Sequence, residues 1–450
     1  MNKDLIIYTF GCRMNTFESN CIQKMMEDLK MQGYIVVNSC AITAESERQV
    51  RQEVRKLKRE NPDFHLILTG CSGNAHTETF LKMQEVDFII SNEFKLKKQV
   101  YQQIKEFFDN KNEKNKETLQ QSFLTQTKNG IPANKNNAID DNDWEYIYHF
   151  EDRSRAFVPV QTGCNHFCAF CIVPFTRGQF HSYNPQHIIE QVRIFVENGY
   201  KEVVLTGIDI TDYGKDIRGQ NNIDTLGKLC KAILKQTTLA RLRLSSVDVA
   251  EIDADIMDLV ADEPRFMPYF HISLQSGSNS VLKRMRRRHT REDVFEFCSK
   301  VLKLRPETAF GADIITGFPE ETEEEFLQSV DLVKTAPITF IHPFPYSRRE
   351  RTLAYLMNDN VPKKVKKDRV KTLIDLGQEN LQKMYKQMAG RPQKCLIERN
   401  CIARAENFIQ IQIDKKLENK ITAGTLQVVI PHFKDEVLVA TDISTFKKCY

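Results

Sequence analysis

The first hundred or so residues alternate short apolar runs with segments in which apolar residues recur every three or four positions. The runs predict strands and the periodic segments predict helices. The expected strands are residues 4–10, 34–37, 65–69 and 88–90, with helices expected over residues 17–29 and 50–59. Because helices between apolar strands are typical crossovers of a parallel sheet, this pattern predicts an open parallel α/β sheet within residues 1–108.

Residues 109–145 lack this pattern. Asn, Lys, Gln, Glu and Asp dominate there, and such a composition buries too little apolar surface to offset the entropy lost on ordering. We therefore expect a polar flexible linker over residues 109–150.

Strands and helices alternate again from Ala156. Six strands are expected over residues 157–161, 202–206, 241–245, 271–275, 310–314 and 339–344. Six such units favour an incomplete TIM-like (β/α)6 barrel over residues 151–387, with functional residues at the carboxyl ends of its strands. A doubly wound open sheet is the alternative.

A long helix is expected over residues 361–388, and the pattern changes after it. Short strands are expected within the C-terminal residues 388–450, at residues 394–398, 408–413, 426–430 and 436–440. Ile409, Ile411 and Ile413 alternate with polar residues, as in a half-buried strand. The pattern predicts a small OB-like β-barrel.

Composition narrows the class of protein. Hydrophobic residues make up 41% and charged residues 28% of the 450 residues, which is typical of a globular protein. The net charge is only +4, so any nucleic-acid surface must be a local patch. We find neither a signal peptide nor an apolar run of about 18 residues, and therefore expect a cytoplasmic protein that does not contact a membrane. Twelve cysteines then favour metal-binding or catalytic thiols over disulfides.

Three of these cysteines, Cys164, Cys168 and Cys171, lie close together directly after the first strand of the expected barrel. Iron–sulfur clusters are normally held by four thiolates, so three indicate a cubane with one open iron or a distant fourth ligand. A zinc knuckle that includes His166 is the alternative. Zinc ligands usually come as two separated pairs, and no second pair lies nearby.

A second set of thiols is far apart in sequence. Cys12, Cys40 and Cys71 each follow an expected strand of the N-terminal sheet. Ligands of an open parallel sheet gather at the carboxyl ends of its strands, so these thiols are expected to converge on a second cluster. The alternative is three buried structural cysteines, since a free cysteine packs as a small hydrophobic residue. The other six cysteines are expected to be structural.

Longer motifs around both sets resemble those of the radical S-adenosylmethionine methylthiotransferases. Residues 9–19, 38–43 and 69–71 are similar to the N-terminal motifs of that family, and residues 161–178 to its radical domain. The C-terminal strands resemble its TRAM RNA-binding domain. Residues 204–209, 244–248, 283–289 and 311–320 favour the branch that acts on threonylcarbamoyladenosine at position 37 of tRNA. One departure is the stretch 346–352, which lacks the Pro-Gly turn expected there.

The resemblance implies two 4Fe–4S clusters and S-adenosylmethionine as cofactors. Cys164, Cys168 and Cys171 would hold the catalytic cluster, which binds S-adenosylmethionine. Cys12, Cys40 and Cys71 would hold an auxiliary cluster that carries the sulfur. One S-adenosylmethionine would methylate that sulfur, and a second would yield the radical that takes hydrogen from C2 of the adenine. Contacts with S-adenosylmethionine are expected at strand ends, from Gly207, Asp209, Gln275, Gly317, Phe318 and Pro319.

The expected partner is tRNA, bound through its anticodon loop. Basic side chains suit its phosphates, and the candidates are Lys283, Arg284, Arg286, Arg287 and Arg288, followed by Arg391, Lys394, Arg399 and Arg404. Phe408 is expected to stack on a base. For the basic run 283–288, the alternative is a helix face exposed to solvent. We interpret the lysines within 363–367 as such an exposed helix face. A sulfur source and an electron donor such as flavodoxin or ferredoxin are also expected.

Other functions stay open from the sequence. Sister branches of the family methylthiolate isopentenyl-adenosine in tRNA or an aspartate of a ribosomal protein. A different class of protein, an iron–sulfur carrier or electron-transfer protein that docks on RNA, would not need an open iron.

Overall fold

The computed structural model describes residues 4–110, 115–124, 127–128, 131–132, 144–151, 153–217 and 222–445. They form two compact units. The first unit comprises Met1–Ile147, Pro159–Ile188 and Ser347–Tyr355. The second unit comprises Tyr148–Val158, Ile189–Tyr346 and Leu356–Tyr450. The first unit therefore contains all six cysteines that the sequence singled out.

In chain order, the strands of the described residues are β1 (Leu5–Thr9), β2 (Tyr34–Ser39), β3 (His65–Gly70), β4 (Phe88–Ile90), β5 (Thr127–Lys128), β6 (Ile131–Pro132), β7 (Ala156–Pro159), β8 (Gln161–Thr162), β9 (His181–Ser182), β10 (Glu202–Thr206), β11 (Arg241–Leu244), β12 (Ser246–Val247), β13 (Tyr269–Gln275), β14 (Ala309–Thr316), β15 (Ile338–Pro345), β16 (Gln393–Glu398), β17 (Ile402–Ala405), β18 (Gln410–Ile413), β19 (Leu426–Lys434) and β20 (Val437–Thr445).

The helices of the same residues are α1 (Arg13–Asp28), α2 (Ala44–Glu60), α3 (Cys71–Ala75), α4 (Thr77–Leu81), α5 (Lys98–Asp109), α6 (Lys116–Ser122), α7 (Val173–Arg177), α8 (Pro185–Glu197), α9 (Leu226–Gln236), α10 (Ala254–Asp262), α11 (Asn279–Arg284), α12 (Arg291–Leu304), α13 (Glu323–Thr335) and α14 (Lys363–Met388). No helix among the described residues is both long and apolar enough to span a membrane.

The N-terminal sheet has the strand order β1-β2-β3-β4, and every adjacent pair is parallel. This confirms the predicted open parallel sheet. The helix α2 begins earlier than predicted, because the side chain of Thr43 accepts a hydrogen bond from the Ser46 amide and so caps it. Its first turns are polar, which hid them from a prediction based on apolar periodicity.

The segment expected to be a linker differs from that prediction in its described part. It contains α6, and the side chain of Gln120 pairs with the edge strand β4 there. Its amide donates to the Ile89 carbonyl and accepts from the Ile89 amide, both at 2.8 Å. Phe123 is also buried. A single amide that satisfies both backbone groups of an edge residue, together with one apolar anchor, orders this stretch despite its polar composition. Much of the predicted linker lies outside the described residues.

The central strands form two connected sheets. β7, β10 and β11 are adjacent in space in chain order, and the chain passes through Ser245 into the sheet β12-β13-β14-β15. The pairs β10–β11, β12–β13, β13–β14 and β14–β15 are parallel. A doubly wound sheet reverses its strand order at a switch point, and the strands of the described residues show no such reversal. The partial (β/α)6 barrel is therefore confirmed.

Alternation along β13 defines the two faces of this barrel. The ring of Phe270 packs edge-on against Phe297 of α12, at 5.2 Å, so it faces the helices. The ring of Tyr269 lies instead 5.7 Å from Phe340 of β15. Since neighbouring residues of a strand point to opposite faces, Tyr269 and His271 share the inner face.

The C-terminal strands close into a barrel in the order β16-β17-β18-β20-β19. This confirms the predicted small β-barrel, with five strands in place of the four expected. The missed strand is β17, Ile-Ala-Arg-Ala, which is short and carries two alanines. Its side chains give a weak alternation, but both alanines are buried in the barrel core.

Candidate functional site

The three N-terminal thiols lie at one edge of the first sheet. Cys12 is the N-cap residue of α1, Cys40 directly follows β2, and Cys71 is the first residue of α3 after β3. Burial, followed by the nearby thiols of Cys71 and Cys12, raises the pKa of the Cys40 thiol to about 11. The sheet therefore brings together thiols from loops that are distant in sequence.

A glycine before two of these cysteines allows the loops to touch. Gly11 has φ +93°, and a Cβ built on it would lie 2.7 Å from the Cβ and 2.9 Å from the Sγ of Cys40. Gly70 has φ +90°, and its Cβ would lie 2.4 Å from the Ser39 carbonyl oxygen. A side chain at either position would thus combine a disfavoured backbone conformation with a clash. Both glycines serve the close approach of the thiols.

Asn15 ties two of the loops together, and sequence reasoning did not single it out. Its side-chain amide donates to the carbonyl of Phe10 at 2.7 Å and to that of Ser39 at 3.0 Å. These carbonyls lie just before Cys12 and Cys40. A buried amide that satisfies two carbonyls fixes the spacing of the loops that carry the thiols.

The second set of thiols lies on a loop clamped at its base. Cys164 follows β8, and its amide donates to the Gly178 carbonyl at 3.2 Å. The antiparallel pair β8–β9 closes the loop. Gly163 has φ +65°, and a Cβ there would lie 1.9 Å from the Gln179 carbonyl oxygen. The glycine is required because the returning chain passes so close.

Within this loop the chain turns tightly. The Cys171 amide donates to the Cys168 carbonyl at 2.9 Å, and Phe167 adopts a left-handed conformation with φ +48°. All three thiols of the loop are partly exposed. The turn keeps three soft donors on one short loop, with access for a ligand.

Two family models and several known proteins match this chain. Residues 158–333 match the family model described as Radical SAM superfamily, and residues 4–91 match the one described as Uncharacterized protein family UPF0004. Over 412 residues the chain is 42% identical to the threonylcarbamoyladenosine tRNA methylthiotransferase MtaB of Rickettsia prowazekii, and the match covers 91% of each protein. The chain belongs to the radical S-adenosylmethionine methylthiotransferase family.

Two further relatives show the breadth of this methylthiotransferase family. The MtaB protein of Aquifex aeolicus is 33% identical over 90% of this chain and 95% of its own length. The tRNA-2-methylthio-N(6)-dimethylallyladenosine synthase of Carboxydothermus hydrogenoformans is 31% identical, with 88% of each protein covered. A solved radical S-adenosylmethionine methyltransferase, TsrM from Kitasatospora setae with cobalamin and a [4Fe-4S] cluster bound, has a TM-score of 0.54, 10% identity, and covers 87% of this chain and 77% of its own. That likeness supports the fold alone.

Methylthiotransferases of this family use S-adenosylmethionine and two 4Fe–4S clusters. The donor sets of this chain fit such groups. Each of the two sites offers three thiols, the ligand type that iron–sulfur clusters take. The thiols of Cys71 and Cys12 lie close enough to that of Cys40 to raise its pKa, as expected of side chains that would share one cluster.

The predicted contacts for S-adenosylmethionine fall into two groups in the methylthiotransferase barrel. Gly207, Asp209 and Gln275 are partly exposed at the ends of β10 and β13. Gly317, Phe318 and Pro319 are buried after β14. Phe318 packs edge-on against Tyr346 at 5.6 Å, and a Cβ on Gly317 would meet the side chain of Lys366 at 2.3 Å. The second group therefore packs within the second unit, and both groups stay our proposed contacts with the cofactor.

Lys366 also departs from its predicted surface position. Sequence reasoning grouped it with neighbouring lysines on a solvated helix face. It is buried instead, with its amine 2.5 Å from Asp359 and 5.0 Å from the centre of the Tyr346 ring. A helix that packs on a barrel buries the stem of a lysine at its contact face.

A polar group on the inner face of the barrel was not found from the sequence. Asp313 of β14 lies 3.0 Å from His271 Nε2 of β13 and 3.5 Å from His342 Nδ1 of β15. The hydroxyl of Tyr269 is 3.0 Å from His271 Nδ1. His342 is half-exposed. His271, Asp313 and His342 are far apart in sequence, and only the register of three strands brings them together.

The basic run 283–288 was expected to meet RNA, but the structure pairs three of its side chains with carboxylates. Arg284 binds Glu325 through both terminal nitrogens, at 2.8 and 2.6 Å. Arg287 lies 3.0 Å from Asp248, and Arg288 also contacts Asp248 and Glu251. We therefore withdraw Arg284, Arg287 and Arg288 as phosphate contacts, because their charge is already neutralised within the unit. Lys283 and Arg286 remain as proposals.

In the C-terminal barrel, two predicted RNA contacts serve packing instead. The ring of Phe408 stacks on Tyr269 at 4.7 Å, and the guanidinium groups of Arg155, Arg243 and Arg404 lie 5.0, 5.1 and 4.9 Å from its centre. Arg404 also binds Glu398 at 2.9 Å. A base cannot stack where a protein ring already does, so this use of Phe408 is corrected. Arg391, Lys394 and Arg399 are exposed.

The stretch that lacks the Pro-Gly turn keeps an unusual backbone. Arg351 occupies a left-handed conformation with φ +69°, which a glycine would adopt more readily. The stretch is anchored by Arg349, which donates to Glu47 at 2.8 Å. Two residues after the stretch, the Ala354 amide donates to the Ala169 carbonyl at 2.7 Å. Ala169 lies between two cysteines of the loop. The stretch therefore supports the cysteine loop despite the altered sequence.

Proposed function

We propose that this protein transfers a methylthio group to C2 of the adenine in threonylcarbamoyladenosine at position 37 of tRNA. The observation that carries the proposal is the presence of both thiol sets in one compact unit of a chain that aligns along nearly its whole length with enzymes named for this reaction. Its identity to them reaches 42%, against 31% for a relative named for dimethylallyladenosine.

In this function, the two thiol sets have separate roles. Cys164, Cys168 and Cys171 would hold the catalytic cluster, and Cys12, Cys40 and Cys71 the auxiliary cluster. The bound clusters and S-adenosylmethionine supply the radical and the sulfur. The chain itself fixes where they bind, through the clamped loop at Gly163 and through the amide of Asn15. Our proposed contacts with S-adenosylmethionine are Gly207, Asp209, Gln275, Gly317, Phe318 and Pro319.

We further propose that the inner polar group of the barrel orients the modified base. Asp313 offers a carboxylate that accepts hydrogen bonds, and the partly exposed imidazole of His342 can donate or accept one. A polar substituent such as the threonylcarbamoyl group needs partners of both kinds in a largely apolar barrel. Asp313→Asn should therefore raise KM for tRNA substrate while iron content stays at the wild-type level. Unchanged kinetics would exclude this role.

The test of the reaction is the nucleoside profile of tRNA from a strain that lacks this protein. We expect the 2-methylthio derivative of threonylcarbamoyladenosine to be absent, and to return with the wild-type gene. Cys40→Ala should fail to restore it. Cys298→Ala, which removes a buried cysteine of α12, is the matched control and should restore it. Loss of the dimethylallyl derivative instead would assign the protein to the sister reaction, and an unchanged profile would refute a role in tRNA.

Iron content tests the two-cluster arrangement independently. Two cubanes require about eight irons per chain in protein prepared without oxygen. Replacing Cys12, Cys40 and Cys71 together by alanine should leave about four, and so should replacing the other three. About four irons per chain in the wild-type protein would refute the two-cluster arrangement.

Binding of tRNA is proposed to involve the exposed basic residues Arg391, Lys394 and Arg399. Reversal of all three to glutamate should weaken tRNA binding and reduce its dependence on salt, because fewer phosphate counterions would be released. Reversal of three exposed lysines on α12 and α13, Lys300, Lys303 and Lys334, is the matched control. Equal affinity for both variants would exclude this surface. A cytoplasmic location, a sulfur source and an electron donor such as flavodoxin or ferredoxin complete the proposal.

A further inference from the structure

Three charged side chains contact one another inside the first unit, next to the N-terminal thiols. The guanidinium of Arg177 binds Glu18 through two nitrogens, at 2.8 and 3.1 Å. The amine of Lys95 lies 2.5 Å from the same carboxylate. Arg177, Glu18 and Lys95 are 3%, 4% and 1% exposed, so water screens none of them. Two cations thus share one anion, and the group carries a net charge of +1.

A surplus buried charge is costly unless an opposite charge lies nearby. The neighbours that favour the charged form of Arg177 are, in order, Glu18, Cys71 and Cys12. For Lys95 they are Glu18 and Cys71. The geometry agrees for Cys12, whose Sγ lies 4.0 Å from the same Asn15 oxygen that Arg177 contacts at 2.7 Å. These thiols would be thiolates when they hold iron.

Arg177 is also linked to the loops that carry these thiols. One of its terminal nitrogens donates to the side-chain oxygen of Asn15 at 2.7 Å. The amide of the same Asn15 holds the carbonyls of Phe10 and Ser39, just before Cys12 and Cys40. The side chain of Arg177 therefore orients the amide that sets the spacing of two thiol loops.

The charge of the group matches that of the cluster that the thiols would hold. A 4Fe–4S core of charge about +2 with three thiolates has a net charge of about −1. We propose that Arg177 and Lys95, held by Glu18, form the built-in counter-charge of the cluster site at Cys12, Cys40 and Cys71, and that Arg177 is its positioning residue. This inference rests on the proposed function, because it takes an iron–sulfur cluster as the occupant of that site.

The consequence is a higher reduction potential for this cluster. Reduction adds a negative charge, which a nearby cation stabilises in a medium of low dielectric constant. Removal of one buried charge should change the equilibrium constant for reduction by roughly tenfold, which is about 59 mV for a one-electron couple.

The experiment uses the full chain with Cys164, Cys168 and Cys171 replaced by alanine, so that the N-terminal site alone holds iron. In this background Lys95→Met should keep about four irons and lower the potential, measured by EPR-monitored redox titration, by about that amount. Arg177→Gln should lower both the potential and the iron content. Arg177→Lys keeps the charge and loses the fork, so it should restore the potential and not the full iron content. Arg369→Gln removes a buried arginine paired with Glu321 in the second unit and is the matched control.

Potentials of Lys95→Met and Arg177→Gln equal to that of the control would overturn the inference. If Lys95→Met holds too little iron to titrate, the iron-free protein provides the second measurement. A counter-charge lacks its anion there, so Lys95→Met should be at least as stable to heat as the iron-free parent. A lower midpoint would mean that Lys95 is only a structural ion pair, which also refutes the proposal. A parent that binds no iron at the N-terminal site would refute the proposed function itself.

Discussion

The replacement of Phe408 by alanine separates a packing role from a role in RNA recognition. Stacking on Tyr269 contributes about 0.5–1.5 kcal/mol beyond burial, and each of three nearby guanidinium groups adds about 0.5–1 kcal/mol. These terms sum to about 2–4.5 kcal/mol. Since Phe408 is only partly buried, the additional loss of apolar contact is smaller than for a core phenylalanine.

A loss of this size should lower the melting midpoint of the second unit by roughly 4–18 °C, taking about 2–4 °C for each kcal/mol in a unit of this length. Differential scanning calorimetry measures it. The affinity for tRNA should fall less than twofold. If Phe408 stacked on a base instead, its removal would cost about 1–3 kcal/mol of binding, or roughly 5- to 150-fold in affinity.

Leu356→Ala is the matched control, because Leu356 is an apolar residue of the same unit that is 81% exposed. It should change stability by less than about 0.5 kcal/mol. A Phe408→Ala variant with the melting behaviour of this control and a large loss of tRNA affinity would refute the assignment of Phe408 to packing.

Three further perturbations follow from the structure. Glu202 is buried, and burial alone would raise its pKa, but the contacts of its carboxylate with Arg243 and Arg241 lower the pKa to about 2. The contribution of Glu202 to stability should therefore be present above about pH 4.5 and disappear as the pH falls towards 2. Glu202→Gln should therefore unfold more easily at pH 7 and lose less stability on acidification, as acid titration followed by circular dichroism would show. Gly70→Ala should lower the number of irons bound per chain at the N-terminal site. Gly33→Ala is the control and should keep the iron, because Gly33 has open space around it. Equal iron content in both variants would contradict the role of the close approach between Gly70 and Ser39. Arg351→Gly should raise the free energy of unfolding by about 1 kcal/mol, because glycine adopts the left-handed backbone of this position without strain. A denaturant titration measures this change, and a destabilised variant would show that the side chain of Arg351 contributes more to stability than its backbone strain costs.

Local patterns were sufficient for the architecture. Apolar runs and helical periodicity predicted the four strands of the N-terminal sheet and the barrel strands, because burial on a sheet or a helix imposes a repeat that neighbouring residues carry themselves. The loop with Cys164, Cys168 and Cys171 could be recognised because its three thiols are close together in the sequence. Even the distant Cys12, Cys40 and Cys71 were predictable, since each follows a strand and parallel strands place their carboxyl ends at one edge.

The state of each charged or aromatic side chain could not be read in this way. Arg284, Arg287 and Phe408 looked available to RNA, yet their partners come from segments far away in the sequence. The buried group of Arg177, Glu18 and Lys95 and the barrel group around Asp313 depend likewise on contacts across the fold. A local sequence shows that a charge or ring exists, whereas only packing decides what neutralises or covers it, because Coulombic and stacking contacts depend on distance in space.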